Sequence, residues 1–230
     1  MSLKKILILD YSTDQSEAPA IKRWVPDNAQ IVSCFIDTEK SFPDDLIEQG
    51  FSHVIHSGSA LSITKPAPFT EKARRYIEHC YQNGIAQMGI CYGHQLISLA
   101  LIGEKAVRSS PSGLEAGWNK VLFTQAGVDA FGVKKNERVW QHHFDEVITL
   151  PEGSVLLATN GHSQIQAYVN PGKRLLGTQF HPEFDREAGN YIFVQDKAQL
   201  EKNGYDYNKL IAGAPSFKTG IVVFGYFFSF

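Results

Sequence analysis

The sequence predicts an α/β protein with three layers, in which a mostly parallel β-sheet carries helices on both faces and antiparallel hairpins are added to it. Two patterns predict this architecture. Apolar runs alternate with helical patterns over residues 5–102, as in parallel sheets, where a helix usually makes the crossover between strands. Short strand-like runs with turn residues between them follow in the second half. With 230 residues and no linker-like segment, the chain is predicted to form one domain, residues 1–230.

The first half is predicted to contain four strands and four helices. Each strand is a short apolar run of the kind that is buried on both faces of a sheet. The longer helices follow from apolar residues at helical spacing, and a glycine after three of the segments marks a helix end. The strands are Ile6–Leu9, Gln30–Ile36, Ser52–His56 and Ile85–Ile90, and the helices lie near Ala20–Trp24 and at Asp44–Gln49, Phe69–Asn83 and His94–Ile102.

The second half is predicted to supply the hairpins. Its strand candidates are Val121–Phe123, Val139–Trp140, Val147–Thr149, Ser154–Thr159, Ile165–Val169 and Leu175–Gln179. Asn203–Ala212 has a helical pattern, and the apolar segment Ile221–Phe230 is predicted to be a closing helix or strand packed on the core. That segment falls short of the roughly 20 residues that span a bilayer, so we expect no membrane partner.

Composition excludes several classes of function. The 22 Lys and Arg residues are balanced by 24 Asp and Glu residues, so no basic excess favours nucleic acid as a partner. The cysteines are Cys34, Cys80 and Cys91, an odd number without a CxxC motif, which argues against a disulfide framework or a thiolate zinc site. The N-terminal apolar run is too short for a signal peptide. We therefore expect a cytoplasmic protein in a reducing compartment.

The segment Gly89–Gln95 (GICYGHQ) has the pattern of a nucleophile elbow. A buried strand runs directly into Cys91, and a helix begins almost at once. Glycines on both sides allow a tight turn that keeps the side chain projecting. A thiol at a helix N-terminus is favoured as the reactive thiolate, and the N–H of Tyr92 is placed to donate into an oxyanion hole. The alternative is a small cysteine that merely fills the core.

A thiol nucleophile needs a base, and the base needs an orienting group. Gln179–Glu183 (QFHPE) follows the last predicted strand, so His181 lies at or just past a strand end, where sites collect in parallel sheets. Glu183, two residues further along, is suited to hold the tautomer of the imidazole. The alternative is a surface His-Pro turn with an unrelated acid.

Taken together, four ordered segments resemble the class I (triad) glutamine amidotransferases. The resemblance covers residues 4–183 and is nearest to the glutaminase domain of GMP synthetase and to stand-alone proteins like it. It implies a flavodoxin-like three-layer fold. The matching segments are Val54–Ser59 (VIHSGS), Gly89–Gln95, Val139–Val147 (VWQHHFDEV) with the following Leu150-Pro151, and Gln179–Glu183.

The resemblance also implies roles for five residues. Cys91 would attack the side-chain carboxamide of glutamine, and His181 would take the thiol proton and deliver it to the leaving ammonia. Glu183 would orient His181. The backbone N–H groups of Gly58 and Tyr92 would stabilise the oxyanion, and water would hydrolyse the γ-glutamyl thioester. No cofactor is implied.

Two further residues are implied in substrate binding, Gln95 and His143. The sequence departs from the family pattern at two places near them. The oxyanion loop reads Ser57-Gly58-Ser59 where Gly-Gly-Pro is usual, and Phe144 stands where glycine is common. A bulky residue at this point puts strict specificity for free glutamine in question.

Alternatives remain open on function. No segment after Glu183 is long enough for a synthetase domain, so either a separate ammonia-accepting synthetase subunit exists or the protein hydrolyses a γ-glutamyl peptide or amide directly. A catalytically silent binding or regulatory module on the same fold is the third reading. A peptidase or stress protein with a similar elbow usually has histidine after the cysteine, where this chain has Tyr92.

The other histidines and acidic residues have simpler interpretations. The pairs His142 with His143 and His53 with His56 lack the three or four convergent ligands of a metal site, so none is predicted. His94 is expected to form hydrogen bonds within the elbow. Glu115 lies in a stretch that echoes the family, where an acid supports the fold, and its role is left open. No GxGxxG or GxxxxGK[ST] motif points to nucleotide phosphate.

Overall fold

A nine-stranded mixed sheet forms the centre of the protein, in the strand order β2-β1-β3-β4-β11-β10-β9-β6-β7. The computed structural model describes residues 3–215 and 217–230. A second sheet pairs β5 with β8. In chain order the strands are β1 (Lys5–Asp10), β2 (Gln30–Phe35), β3 (His53–His56), β4 (Ala86–Ile90), β5 (Val107–Ser109), β6 (Glu115–Phe123), β7 (Asn136–His143), β8 (Asp145–Val147), β9 (Val155–Thr159), β10 (Ala167–Asn170) and β11 (Leu175–Thr178).

Helices cover the sheet and extend beyond its antiparallel end. They are α1 (Glu17–Lys22), α2 (Thr70–Gln82), α3 (Tyr92–Ile102), α4 (Gln125–Phe131), α5 (Arg186–Gln195), α6 (Lys197–Lys202), α7 (Tyr207–Ala212) and α8 (Thr219–Phe227). None of these described helices combines the length and the apolar character needed to cross a bilayer.

The predicted architecture is confirmed. Strands β2, β1, β3, β4 and β11 are parallel neighbours, and the hairpin strands β10, β9, β6 and β7 continue the sheet in antiparallel pairing. Alternate residues of β1 point to opposite faces, as a strand buried on both sides requires. Leu7 and Leu9 lie in the core with α2 and α3, whereas Ile6 and Ile8 lie in the core with α1 and α8.

The parallel strands bring three chain segments to one sheet edge. Gly58 follows β3, Cys91 follows β4, and His181 follows β11, so all three lie at carboxyl ends of neighbouring strands. The backbone N–H of Cys91 donates to the carbonyl of Thr178 over 2.8 Å, which continues the β4–β11 ladder one residue further. This edge is where sites form in open parallel sheets.

A third core cluster lies beyond the hairpins, where α5, α6 and α7 pack against β6 and β7. Its centre is Trp140 of β7, which stacks on Phe193 at a centroid distance of 5.0 Å and meets Phe184 edge-on at 4.9 Å. The indole of Trp118 donates to Asn190 over 2.8 Å. The helices after the Gln179–Glu183 motif therefore hold that motif in place from the outer side.

Several predicted elements differ from the structure. The helix predicted at Asp44–Gln49 is wrong: the segment forms only turns, because Asp45 adopts φ 50° in the left-handed region. Only the second half of the segment Asn203–Ala212, which was predicted as one helix, is helical, as α7. Gly204 at φ 83° follows the end of α6, and the side chain of Asp206 caps the start of α7. Helices α4, α5 and α6 were not predicted, because each is short or weakly patterned.

Helix α8 offers a test of close packing near the site. A Cβ atom on Gly220 would lie 2.5 Å from the Trp24 ring and 2.8 Å from the carbonyl oxygen of Pro182, whereas a Cβ on Gly225 would meet nothing within 4 Å. We expect Gly220→Ala to lower the free energy of unfolding by about 1–3 kcal/mol. The matched control Gly225→Ala should raise it by up to about 1 kcal/mol through helix propensity. Denaturant unfolding measures both, and equal effects would contradict the packing account.

Candidate active site

The elbow predicted around Cys91 is present in the structure. Cys91 has φ 48° and ψ −103°, a conformation that costs a non-glycine residue of the order of 1–3 kcal/mol. Both flanking glycines are required by close approach: a Cβ on Gly89 would lie 2.6 Å from the Gly93 backbone, and a Cβ on Gly93 would collide with the carbonyl of His56. The strand, the strained residue and the helix are thus locked together.

The thiol of Cys91 is buried at the turn, with 4% of the residue exposed. Its Sγ lies 3.6 Å from Nε2 of Gln179 and 4.0 Å from the carbonyl oxygen of His142. Burial, together with the nearby carboxyl groups of Glu17 and Glu183, raises the pKa of Cys91 well above its ordinary value, and these effects outweigh the backbone N–H of Tyr92. Burial therefore opposes the thiolate that the helix N-terminus favours.

His181 and Glu183 form the pair that the sequence predicted. Nδ1 of His181 is hydrogen-bonded to Oε1 of Glu183 over 2.6 Å, and the tautomer with its proton on Nδ1 leaves Nε2 as the acceptor nitrogen. The ring is held between the edge of Trp140, at a centroid distance of 4.9 Å, and the face of Phe184, at 5.2 Å. Burial lowers the pKa of His181 to about 4 and raises the pKa of Glu183 to about 8.

Cys91 and His181 are neighbours through the sheet. Each follows a strand of the parallel β4–β11 pair, in which Ile90 lies opposite Thr178. Among the described residues, the thiol has hydrogen-bond contacts with Gln179 and the His142 carbonyl and none with the imidazole. The thiol and the ring are therefore placed at one edge, in a resting arrangement without a thiol–imidazole hydrogen bond. Such bonds are often loose or unformed without substrate.

The loop after β3 is held by Ser57. Oγ of Ser57 accepts from the N–H of Tyr11 and donates to the carbonyl of Gly58, each over 2.8 Å, and the carbonyl of Ser57 accepts from the N–H of Gly93 over 3.0 Å. A Cβ on Gly58 would lie 2.7 Å from Cε1 of His181. The loop is therefore fixed to the elbow and packed directly on the imidazole.

The two predicted substrate-binding residues are buried and hydrogen-bonded. Nε2 of Gln95 donates to the carbonyl of Asp145 over 2.7 Å and to Oε1 of Gln179 over 3.1 Å. His143 has Nδ1 3.0 Å from the Asp145 carbonyl and Nε2 3.0 Å from Oε2 of Glu115. Through these bonds both residues hold the turn between β7 and β8, which begins beside the thiol. Their roles in substrate binding stay predictions.

Glu115 is the centre of a buried polar network. Its carboxylate accepts from Asn160 over 2.6 Å and from Gln166 over 3.1 Å, and pairs with His143. Although burial raises the pKa of Glu115, the hydrogen bond and charge of His143 and the neighbouring His162 outweigh it and bring that pKa below its usual value. A structural role for Glu115 accounts for these contacts.

Two groups of side chains within the described residues could hold a metal ion by position. They are Glu115 with His143 and His162, and Glu17 with His181 and Glu183, and in each group the donor atoms lie within 4.8 Å of one another. Hydrogen bonds already join members of both groups, at 3.0 Å between His143 and Glu115 and at 2.6 Å between His181 and Glu183. Each group therefore contains one histidine–carboxylate pair that is hydrogen-bonded without an ion.

Sequence reasoning missed two residues and was wrong about one. Gln179 contacts the thiol, and its position inside the predicted motif was the available signal. Glu17 is buried 4.0 Å from Nδ1 of His181, and nothing in its sequence surroundings indicated this. His94 was expected to form hydrogen bonds in the elbow, but neither ring nitrogen forms one of ordinary geometry within the described chain; the ring packs on Tyr168 at a centroid distance of 5.1 Å.

Comparison with known proteins agrees with the fold and with the predicted family. The chain is 29% identical over 199 residues to a glutamine-hydrolysing GMP synthase of Clostridium kluyveri, an alignment that covers 84% of this chain but 37% of that protein. The chain thus spans little more than a third of such GMP synthases. It is 32% identical over 154 residues to a glutamine-hydrolysing GMP synthase subunit of Sulfolobus acidocaldarius, covering 66% of this chain and 79% of that protein.

Among solved structures, a glutamine amidotransferase from Thermotoga maritima superimposes with a TM-score of 0.79 at 21% identity, covering 99% of this chain and 96% of that one. This likeness shows a common fold. The family model for the class-I glutamine amidotransferases matches residues 28–198, most of the chain and both motif segments. The chain belongs to the class-I glutamine amidotransferase family.

Proposed function

We propose that the protein is a cysteine-dependent amidohydrolase that releases ammonia from the side chain of glutamine through a γ-glutamyl thioester. The observation that carries the proposal is the strained elbow of Cys91 at the same sheet edge as the hydrogen-bonded pair His181–Glu183. Family membership supports the same chemistry. The GMP synthases that the chain resembles are named as glutamine-hydrolysing.

The first step forms the thioester. Nε2 of His181 takes the proton from the thiol of Cys91 as Sγ attacks the carboxamide carbon, and the tetrahedral oxyanion accepts hydrogen bonds from the N–H groups of Gly58 and Tyr92. The imidazolium then gives its proton to the amide nitrogen, the C–N bond breaks, and ammonia leaves. Proton transfer of this kind contributes about 10²–10⁴-fold to the rate.

The second step returns the enzyme to its starting state. His181 takes a proton from water as the oxygen attacks the thioester carbon, the C–S bond breaks, and the proton passes to the sulfur of Cys91, releasing glutamate. Glu183 stabilises the imidazolium that forms in both steps. The raised pKa of the buried thiol fits this scheme, because such a thiol needs a base at the moment of attack.

Glutamine would be held beside the turn between β7 and β8. We assign Gln95 and His143 the role of fixing this turn. The backbone near His142 and Phe144 would then bind the α-amino and α-carboxylate groups of the substrate. The support is the pair of hydrogen bonds that both residues make to the carbonyl of Asp145. A buried polar network of this kind rigidifies the site that it surrounds.

We expect the ammonia to pass to a separate synthetase subunit. The support is the match to the GMP synthase subunit of Sulfolobus acidocaldarius, because the alignment covers most of the length of that protein. A second candidate function is hydrolysis of γ-glutamyl peptides or amides. The observation that favours it is Phe144, whose 45% exposed ring lies in the turn beside the thiol, where it could contact a larger leaving group.

The nucleophile can be tested by removing the thiol. We expect Cys91→Ala to abolish the release of glutamate and ammonia from glutamine, because no other described thiol lies in an elbow. Cys34→Ala, which removes a half-buried thiol from β2, is the matched control and should retain activity within about twofold. Full turnover by Cys91→Ala would overturn the proposal, and an inactive wild type with a stoichiometric protein partner would favour the silent binding module.

The choice between the two candidate functions depends on relative kcat/KM. We expect free glutamine to be hydrolysed with a higher kcat/KM than γ-glutamyl amides or dipeptides, measured as glutamate released by the purified protein. The opposite order would favour the γ-glutamyl hydrolase. In that case Phe144→Gly should lower kcat/KM for the larger substrates while leaving that for glutamine largely unchanged.

The loop after β3 can be tested through its contact with the imidazole. A methyl group on Gly58 would push against Cε1 of His181 and the carboxyl of Glu17, at 2.7 and 3.0 Å. We expect Gly58→Ala to lower kcat at least tenfold, because displacement of a catalytic group by about 1 Å can cost about 10²-fold. Gly161→Ala, where a Cβ would meet nothing within 4 Å, is the control. Unchanged kcat in Gly58→Ala would contradict this account of the loop.

A further inference from the structure

Glu17 is a buried carboxyl group that none of the recognised motifs contains. It is the first residue of α1, on the face of the sheet that packs against α8, and its side chain is 9% exposed. Oε1 lies 4.0 Å from Nδ1 of His181 and 3.0 Å from the position of a Cβ on Gly58. A charged side chain with so little access to water requires a partner.

The partner is the other carboxyl group of the site. The donor atoms of Glu17, His181 and Glu183 lie within 4.8 Å of one another. Oε2 of Glu17 and Oε2 of Glu183 are both buried, and neither accepts a hydrogen bond from any donor in the described chain. Two carboxylates this close repel each other strongly away from water, so a proton on one of them is favoured.

We propose that Glu17 is a protonated carboxylic acid that donates a hydrogen bond to Glu183, and that it is thereby a positioning residue for His181. This inference deepens the proposed function and rests on it for the role of His181. The hydrogen bond spreads the negative charge of Glu183, so that Glu183 ionises at a lower pH than it would without this donor.

The geometry indicates which carboxyl group holds the proton. Glu183 already accepts the Nδ1–H of His181 over 2.6 Å, whereas Glu17 lies 4.0 Å from the same nitrogen. The negative charge is therefore better stabilised on Glu183. Burial and the neighbouring carboxyl group of Glu183 raise the pKa of Glu17 well above its usual value, which favours the protonated form of Glu17.

The other charged groups around this pair do not offer Glu17 a donor. The carboxylate of Asp10 at the end of β1 is engaged by the N–H groups of Ser12 and Ala18, at 2.9 and 2.8 Å. The titratable groups that face the cluster from the packed elements are Asp10 from β1, Cys91 from the elbow, His142 and His143 from β7, Asp145 from β8, and His181 and Glu183 after β11.

One consequence concerns the balance of charge during attack. A neutral Glu17 leaves one negative charge beside the imidazole, which is enough to stabilise the imidazolium. Two would also oppose the thiolate, since both carboxyl groups act on Cys91. The protonated acid thus supports Glu183 without adding a second charge that would work against the nucleophile.

The test compares Glu17→Gln with Glu17→Ala by the pH dependence of the rate at which iodoacetamide alkylates Cys91, followed by mass spectrometry. The rate in the wild type should rise with pH through about 8, because ionised Glu183 stabilises the thiolate–imidazolium pair. In Glu17→Gln the amide N–H replaces the acid O–H, so the midpoint should stay within about 0.3 pH unit. In Glu17→Ala it should move upward by about one pH unit, the size expected for loss of a hydrogen bond to an ionised group.

The outcomes separate this inference from the proposed function. Alkylation needs no substrate, so an enzyme that alkylates as expected but does not hydrolyse glutamine would overturn the proposed function alone. Equal midpoints in the wild type and Glu17→Ala would show that Glu17 is only a packing residue. If Glu17→Ala does not fold, Glu17→Gln still decides: a shift as large as one pH unit would show that Glu17 is ionised in the wild type and would overturn the inference. Repeating the titration with EDTA should change nothing, and a shift there would point to a bound cation instead.

Discussion

The parallel pairing of β4 with β11, and of β3 with β4, is the constraint on which the site depends. This register sets Ile90 opposite Thr178 and joins the N–H of Cys91 to the carbonyl of Thr178. Residues that are far apart in the sequence reach one edge at the same height only because the three strands end together. A slip of one residue in either pair would turn every side chain of that strand to the opposite face of the sheet.

Burial is the second constraint, and it sets the protonation states. The thiol, the imidazole and both carboxyl groups lie almost out of contact with water, so each is driven towards its neutral form. The structure compensates with short hydrogen bonds rather than with free charges. The same solution recurs around Glu115, where amides and an imidazole surround a single carboxylate. In such surroundings a small number of ionised groups acts strongly, because water does not screen them.

Much of the fold could be predicted because local sequence patterns specify its strands and helices. The buried strands and the long helix α2 follow from apolar spacing, and the elbow follows from a nucleophile flanked by glycines. Short elements were less accessible: the segment at Asp44–Gln49 had the composition of a helix, but six residues cannot offset the cost of nucleation once Asp45 turns left-handed.

Within the site, Cys91, His181 and Glu183 stand in motifs and could be predicted. Glu17 could not, because its importance comes from the approach of the start of α1 to His181 in the folded protein, which no local pattern specifies. The burial of Glu17 and Gln179 arises only in the folded protein, because segments that are distant in the sequence come together at the sheet edge and exclude water.

The positive φ of Cys91 has a thermodynamic consequence for the whole chain. The residue on which the proposed chemistry depends does not suit its own backbone conformation, since only glycine adopts such angles without strain. The backbone strain at this position therefore lowers the stability of the native state. Replacement of Cys91 by glycine would relieve the strain and remove the thiol, so the proposed chemistry gives a reason for a cysteine at this position.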